Sequence, residues 1–216
     1  MTVSITYAYD GYCGWCYGFA PALHKFARDN ADRVSIRVLS AGMRIGDRIK
    51  PFRALRFTAI SNEKITETLG ARFGPAYRAL VEEGSFAMDS NGPAVGLIAL
   101  TRQAPERQLE FSAAIQTAFF YDGLSLSDPA TYATLADQLG LDRVAVLATL
   151  DDADAHAQAL HEMQQVRDFD VPGYPTLLIH LDGKASIFGA EEMSGDELTA
   201  ELDRVLAGRI APSPPR

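Results

Sequence analysis

Cys13 and Cys16 are the two cysteines of the chain, and only two residues separate them. A thiol pair at this spacing can close a redox-active disulfide, supply half of a metal site, or lie inert in a core. The redox use needs a thiolate, which is stabilised where unpaired backbone N–H groups and a partial positive charge converge, at the start of a helix. The flanking residues predict that position. Val3, Ile5, Tyr7 and Tyr9 alternate with Ser4, Thr6 and Ala8 as in a strand, whereas Phe19, Leu23 and Phe26 fall at helical spacing within residues 15 to about 28. Cys13 is therefore expected to be the thiolate at a strand-to-helix junction. Cys16, on the first helical turn, lies within disulfide reach and can attack any mixed disulfide formed at Cys13. Half of a zinc site would need two further ligands, and the four histidines offer no clear second pair. His156 and His161 share one helical segment, and His24 and His180 fall in core segments, so no metal site is expected. Two inert buried cysteines conflict with the junction placement.

The elements around the pair follow from periodicity. Residues 33–40 alternate Val34, Ile36 and Val38 with Ser35 and Arg37, a second strand. A helical crossover between two strands implies a parallel pair. From about residue 57 to 166 no convincing strand occurs and helix signals recur. Residues 62–73 place Ile65, Leu69 and Phe73 on one face, Asn91 with Pro93 marks a start, and Asp128 with Pro129 marks another, with Tyr132, Leu135 and Leu139 as its stripe and Gly140 as its stop. Residues 108–121 and 143–165 are also helical in composition, and Asp151, Asp152 and Asp154 read as a solvated helix start rather than a metal site. Each of these helices is expected to have one apolar face, so that together they cap a core and leave one edge as a groove. Residues 176–181 and 184–188 are apolar runs joined by Asp182-Gly183, a hairpin signal. Ser194 and Glu197 are spaced as a capping box for a last helix with Leu198, Leu202, Val205 and Leu206 inward and Gly208 as its stop. Three of the final six residues are proline, which predicts a disordered tail over 211–216.

The 216 residues are 47% hydrophobic and 22% charged, enough for a large core without staples, which excludes a disulfide-built miniprotein. The 28 acidic against 20 basic residues give a net charge of −8, unfavourable for phosphate backbones and anionic lipid surfaces, so nucleic acid is not expected as a partner. No run approaches the roughly 18 apolar residues of a membrane span, which predicts a soluble protein. Residues 1–9 lack the positive segment and apolar run of a secretory signal, so a cytoplasmic location is expected.

The order strand, helix, strand, helical segment, hairpin, helix predicts an α/β thioredoxin-like fold with an all-helical insertion between the second and third strands. The core is expected over 1–56 and 167–210, the insertion over 57–166. Two motifs agree. Ala20-Pro21, with Pro21 five residues after Cys16, resembles the thioredoxin active-site helix, where the missing N–H at Pro21 bends the helix by leaving the Tyr17 carbonyl unpaired. Val171-Pro172-Gly173-Tyr174-Pro175-Thr176 resembles the superfamily's Gly-x-Pro-Thr segment, which carries a cis-proline facing the cysteines. With the helical insertion, residues 3–207 resemble the DsbA-like family of the thioredoxin superfamily, which includes protein-disulfide isomerases.

The resemblance implies a cis bond before Pro175, with the Tyr174 backbone and Thr176 offered to an extended substrate that adds as a strand. Tyr12 and Trp15 flank the cysteines with aromatic surface, suited to peptide contact or to helix packing. Two departures qualify it. DsbA has Pro-His between its cysteines, and Gly14-Trp15 here offers no charge, which implies a less acidic Cys13 and a less oxidising disulfide, closer to thioredoxin. Tyr7 stands where many members have a buried acid, and Asp10 beside Gly11 reads as a turn residue. The implied activity is that of a thiol-disulfide oxidoreductase or protein-disulfide isomerase working through a mixed disulfide, without cofactor. Its partners would be disulfide- or thiol-bearing proteins or peptides, with glutathione a further candidate, and an external redox partner that recycles the pair. In a reducing cytosol the reductive or shuffling direction is favoured. Two other functions share the fold: a glutathione-dependent small-molecule isomerase or transferase, which usually keeps a single Ser or Cys, and a redox-sensing peptide-binding module.

Overall fold

Strand β1 (Val3–Tyr9) crosses through helix α1 (Gly14–Asp29) to the parallel strand β2 (Val34–Ser40), with Ile5 opposite Ile36 and Tyr7 opposite Val38. The hairpin β3 (Thr176–Leu181) and β4 (Lys184–Phe188) adds on the other side of β1, antiparallel to it, giving the sheet order β2-β1-β3-β4. Asp182 (φ 50°) and Gly183 (φ 75°) both take the left-handed conformation that a tight two-residue hairpin requires. Helix α9 (Gly195–Leu206), started by the Ser194–Glu197 capping box, closes the chain against α1. The fold is thioredoxin-like and α/β. The computed structural model describes residues 2–55 and 58–208, so the tail expected over 211–216 lies outside the described residues.

Between β2 and β3 run α2 (Thr58–Leu69), α3 (Pro75–Glu83), α4 (Asn91–Thr101), α5 (Gln108–Phe120), α6 (Pro129–Leu139), α7 (Arg143–Leu150) and α8 (Ala153–Asp168). Both sheet faces are covered. Val3, Ile5, Tyr7, Val38, Leu177 and Ile179 share a core with Phe19, Leu23 and Phe26 of α1, whereas Ala8 and Leu39 on the opposite face pack with Val166 at the end of α8. Thr6 and Ala8 are thus buried too, although the alternation of β1 separates them from the apolar set. No helix among the described residues is long and apolar enough to cross a membrane.

The strongest start and stop signals act as expected: the Asp128 side chain accepts from the Ala130 N–H, Pro129 opens α6, and Gly140 ends it at φ 69°. Residues 143–165 are helical as expected and hold two helices, and the helix start expected at Asp151, Asp152 and Asp154 forms there: Asp152 caps α8 while its carboxylate also pairs with Arg102. Four local expectations are corrected. Residues 62–73 form a helix displaced toward the N-terminus, and Gly74-Pro75 opens a further helix, α3. Ser90, not Asn91, is the residue before the first turn of α4. Helix α4 has no polar face: Pro93 to Leu100 are all buried, since α5, α7 and α8 surround it and give the insertion a centre of its own. Leu206 is 45% exposed rather than inward.

Candidate active site

Asp10 and Gly11 turn the chain out of β1, and the backbone N–H of Cys13 donates to the Asp10 carbonyl at 3.0 Å. Cys13 is the N-cap of α1: its Sγ accepts from the N–H of Cys16 at 3.3 Å, and its carbonyl accepts the first helical bond, from Tyr17 at 3.1 Å. An orphan donor of the helix start is thereby aimed at the sulfur. The Cys13 Sγ–H in turn donates to the Tyr174 carbonyl at 3.4 Å, and the Tyr174–Pro175 bond is cis. Both thiols are free and buried. Only Cys13 lines the adjoining cavity of about 660 Å³; burial, and then the neighbouring Cys13, push the Cys16 thiol well above the ordinary cysteine range.

The loop carrying the pair is pinned from three directions. The Asp10 carboxylate accepts from the N–H of Tyr12 (3.0 Å), the N–H of Met43 after β2 (2.7 Å) and the hydroxyl of Ser90 before α4 (3.0 Å). Burial raises its pKa even though all three donors act to lower it. Gln116 of α5 donates from Nε2 to the carbonyls of Asp10 and Cys13, each at 3.1 Å. Gly14 leaves room for α2: a Cβ there would lie 3.0 Å from Ile65 Cδ1, and one at Gly18 would lie 2.8 Å from Leu69 Cδ1. A side chain at Gly18 would force Leu69 and Ile65 of α2 aside, whereas at Gly14 the terminal methyl of Ile65 would have to give only slightly.

Trp15 is half-buried, with Lys64 Nζ 5.6 Å above its ring. It separates two hollows: the Cys13 cavity, bounded by the insertion, and a second of about 550 Å³ along Pro175, Thr176 and the end of β4. Gly173 and Tyr174 line both. Tyr12 lines the first while its ring packs edge-on against Phe119 at 4.7 Å, and the Thr176 hydroxyl donates to the Gly173 carbonyl at 2.8 Å.

This arrangement is that of a dithiol centre on a thioredoxin-like fold, and the DSBA-like thioredoxin domain family matches residues 4–197. The protein belongs to that family. The DsbA-like chain is similar in structure to a candidate protein disulfide isomerase from Nitrosomonas europaea, at 20% identity and a TM-score of 0.81, over 97% of this chain and 100% of that one. It is also similar to the cytosolic disulfide reductase DsbM from Pseudomonas aeruginosa, at 22% identity and a TM-score of 0.80, over 94% and 98% of the two chains. DsbM has also been solved with GSH. A 2-hydroxychromene-2-carboxylate isomerase shares the fold at 16% identity and a TM-score of 0.65, over 96% and 100% of the chains. None of the functionally curated proteins matches the sequence.

The DsbA-like fold thus gathers Tyr12, Cys13, Trp15, Cys16, Tyr174, Pro175 and Thr176 into one region. Among the described residues no cluster of three or more His, Cys, Asp or Glu side chains could hold a metal ion. Three contributors escape the sequence reading. The turn at Asp10 is real, but its carboxylate is also the buried acid of the site, reached from three residues before the cysteine rather than six. Tyr7, at the position six before, is buried with its hydroxyl unpartnered. Gln116, an amide on the buried face of α5, carried a signal: a polar group on a buried face needs partners. Arg44 lines the Cys13 cavity and gave no signal at all.

Proposed function

We propose that the protein is a cytosolic thiol-disulfide oxidoreductase in which Cys13 attacks and Cys16 resolves. The inequality of the two sulfurs carries this reading: Cys13 meets the cavity and holds the helix-start N–H, whereas Cys16 sits behind it with its proton firmly bound. Cys13, having lost its proton to solvent, attacks one sulfur of a substrate disulfide; the S–S bond breaks, the first thiol leaves, and a mixed disulfide forms at Cys13. Cys16 then gives up its proton and attacks Cys13 Sγ, closing the Cys13–Cys16 disulfide and releasing the second thiol. Two electrons pass from the dithiol to the substrate. An external thiol or reductase returns them, because the chain holds no second cysteine pair.

Deprotonation of Cys13 also frees the Tyr174 carbonyl, which accepts from the thiol in the resting state. An extended substrate can place a backbone N–H there, with Thr176 and Trp15 along the same hollow. The reducing direction is supported by the likeness to the cytosolic disulfide reductase of Pseudomonas aeruginosa, and isomerase activity by the likeness to the Nitrosomonas protein. Insulin reduction and refolding of a scrambled substrate, compared between wild type and Cys13→Ser, test the proposal. Both rates should fall to background in the variant, and equal rates would overturn it. The size of the Cys13 cavity favours one other reading, a glutathione-dependent isomerase of small molecules. Turnover of such a substrate that survives Cys16→Ser would support that one instead.

A further inference from the structure

Arg44 occupies the loop after β2 and lines the same cavity as Cys13. Its backbone is locked in place: the N–H donates to Ser90 Oγ at 2.9 Å, and the carbonyl accepts from the Ser90 N–H at 2.8 Å. Ser90 is held in turn by Asp10, the acid that pins the cysteine loop. The side chain has no such engagement. Its Nε is buried without a hydrogen-bond partner, and Arg44 joins none of the ion pairs among the described residues. Asp10 is its near acidic neighbour, but that carboxylate is already filled by three donors. An unpaired buried Nε is costly, and because Arg44 is only half-buried and its guanidinium makes no hydrogen bond to the protein among the described residues, an acceptor entering the cavity would meet it unpaired.

The rest of the wall is consistent with this. No other charged residue of either sign among the described ones lines the cavity; its remaining surface is mainly apolar and aromatic, with Thr58, Ser61 and the Asn62 amide as neutral polar groups. A cavity in which Arg44 is the one cation among the described lining residues, shared with a reactive sulfur, selects for a molecule that carries sulfur at one end and an anion at the other. A net charge of −8 repels anions at long range, so a preference for an anionic partner has to arise locally.

We propose that Arg44 is a specificity-determining residue that binds a carboxylate of the thiol or disulfide reacting at Cys13, so that small acidic disulfides are favoured over neutral or basic ones. This rests on Cys13 being the attacking sulfur. The exchange follows the balance given above: the disulfide accepts two electrons from the Cys13–Cys16 dithiol and leaves as two thiols, with Arg44 holding the carboxylate of the half bound at Cys13.

The test compares three symmetric disulfides of similar length: dithiodipropionate (anionic), 2-hydroxyethyl disulfide (neutral) and cystamine (cationic). Oxidation of the reduced protein is followed by alkylating residual thiols and mass spectrometry. Each rate is divided by that of the same disulfide with dithiothreitol, which removes differences in intrinsic reactivity. In wild type the anionic rate should exceed the neutral one by at least about tenfold, in keeping with a charge-assisted hydrogen bond, with cystamine slowest. Arg44→Gln should lower the anionic-to-neutral ratio at least about fivefold, and Arg44→Lys, which keeps the charge, should retain most of it. A wild-type ratio of one or less, or a ratio unchanged in Arg44→Gln, overturns the inference. Were the neutral disulfide to leave the wild-type pair unoxidised, the oxidoreductase reading itself would fail and the inference with it.

Discussion

Gln116 ties together two carbonyls, of Asp10 and Cys13, that no group inside the cysteine loop could reach at once. Each carbonyl keeps one backbone partner without it. Gln116→Leu therefore removes two buried hydrogen bonds without orphaning either acceptor, and should cost about 1–3 kcal/mol in all. Urea unfolding should show this as a lower midpoint at unchanged slope, together with slower reaction at Cys13 as the loop loosens. A midpoint equal to that of wild type would mean that the two bonds contribute nothing. At this scale the chemistry was readable and its support was not. The placement of Cys13 and Cys16 follows from two local periodicities that meet between them. Apart from the Tyr12 N–H, the partners of Asp10 and Gln116 come from segments about 30 to 110 residues away in the chain, a separation that no local pattern encodes.

Elements were readable in proportion to how locally they are determined. The hairpin turn at Asp182-Gly183, the capping box at Ser194 and the Asp128-Pro129 start each involve only a few neighbouring residues, and each forms as its residue types require. Helix α4 departs from the expected single apolar face because its environment is tertiary: with apolar residues all round it offers no periodicity, and only the packing of α5, α7 and α8 explains why. That packing makes a prediction about Gly96. A Cβ there would lie 2.0 Å from the ring of Tyr132, which is itself fully buried. Alanine is the better helix former by about 1 kcal/mol, yet overpacking of this kind costs about 1–3 kcal/mol or more. Gly96→Ala should thus lower the thermal midpoint despite its propensity gain, and a raised midpoint would show that Tyr132 can move aside. At Gly14, between the cysteines, the demand is milder: a Cβ would lie 3.0 Å from the terminal methyl of Ile65, which would have to shift by a few tenths of an ångström.

Across the whole molecule, the insertion is as much a part of the site as the thioredoxin-like core. Asp10 makes the connection, joining the cysteine loop, the β2 exit and the start of α4 through one buried carboxylate. Its pKa is raised on folding, so between the ordinary aspartate value of about 3.9 and the folded value the native state binds more protons than the unfolded one. Stability from this group is therefore fully present below the ordinary value and is lost as pH rises through the raised one. The difference in unfolding free energy between wild type and Asp10→Asn, measured from pH 3.5 upward, should shift against wild type as pH climbs; a shift in its favour would reverse the sign argued here. The assignment of attacker and resolver is tested most directly by trapping. Cys16→Ser and Cys13→Ser proteins, each reduced and then exposed to glutathione disulfide, are quenched with acid and weighed by mass spectrometry. Cys16→Ser should accumulate a stable one-to-one mixed disulfide at Cys13, and Cys13→Ser should remain unmodified over the same interval; an adduct forming as fast on Cys16 would contradict the assignment.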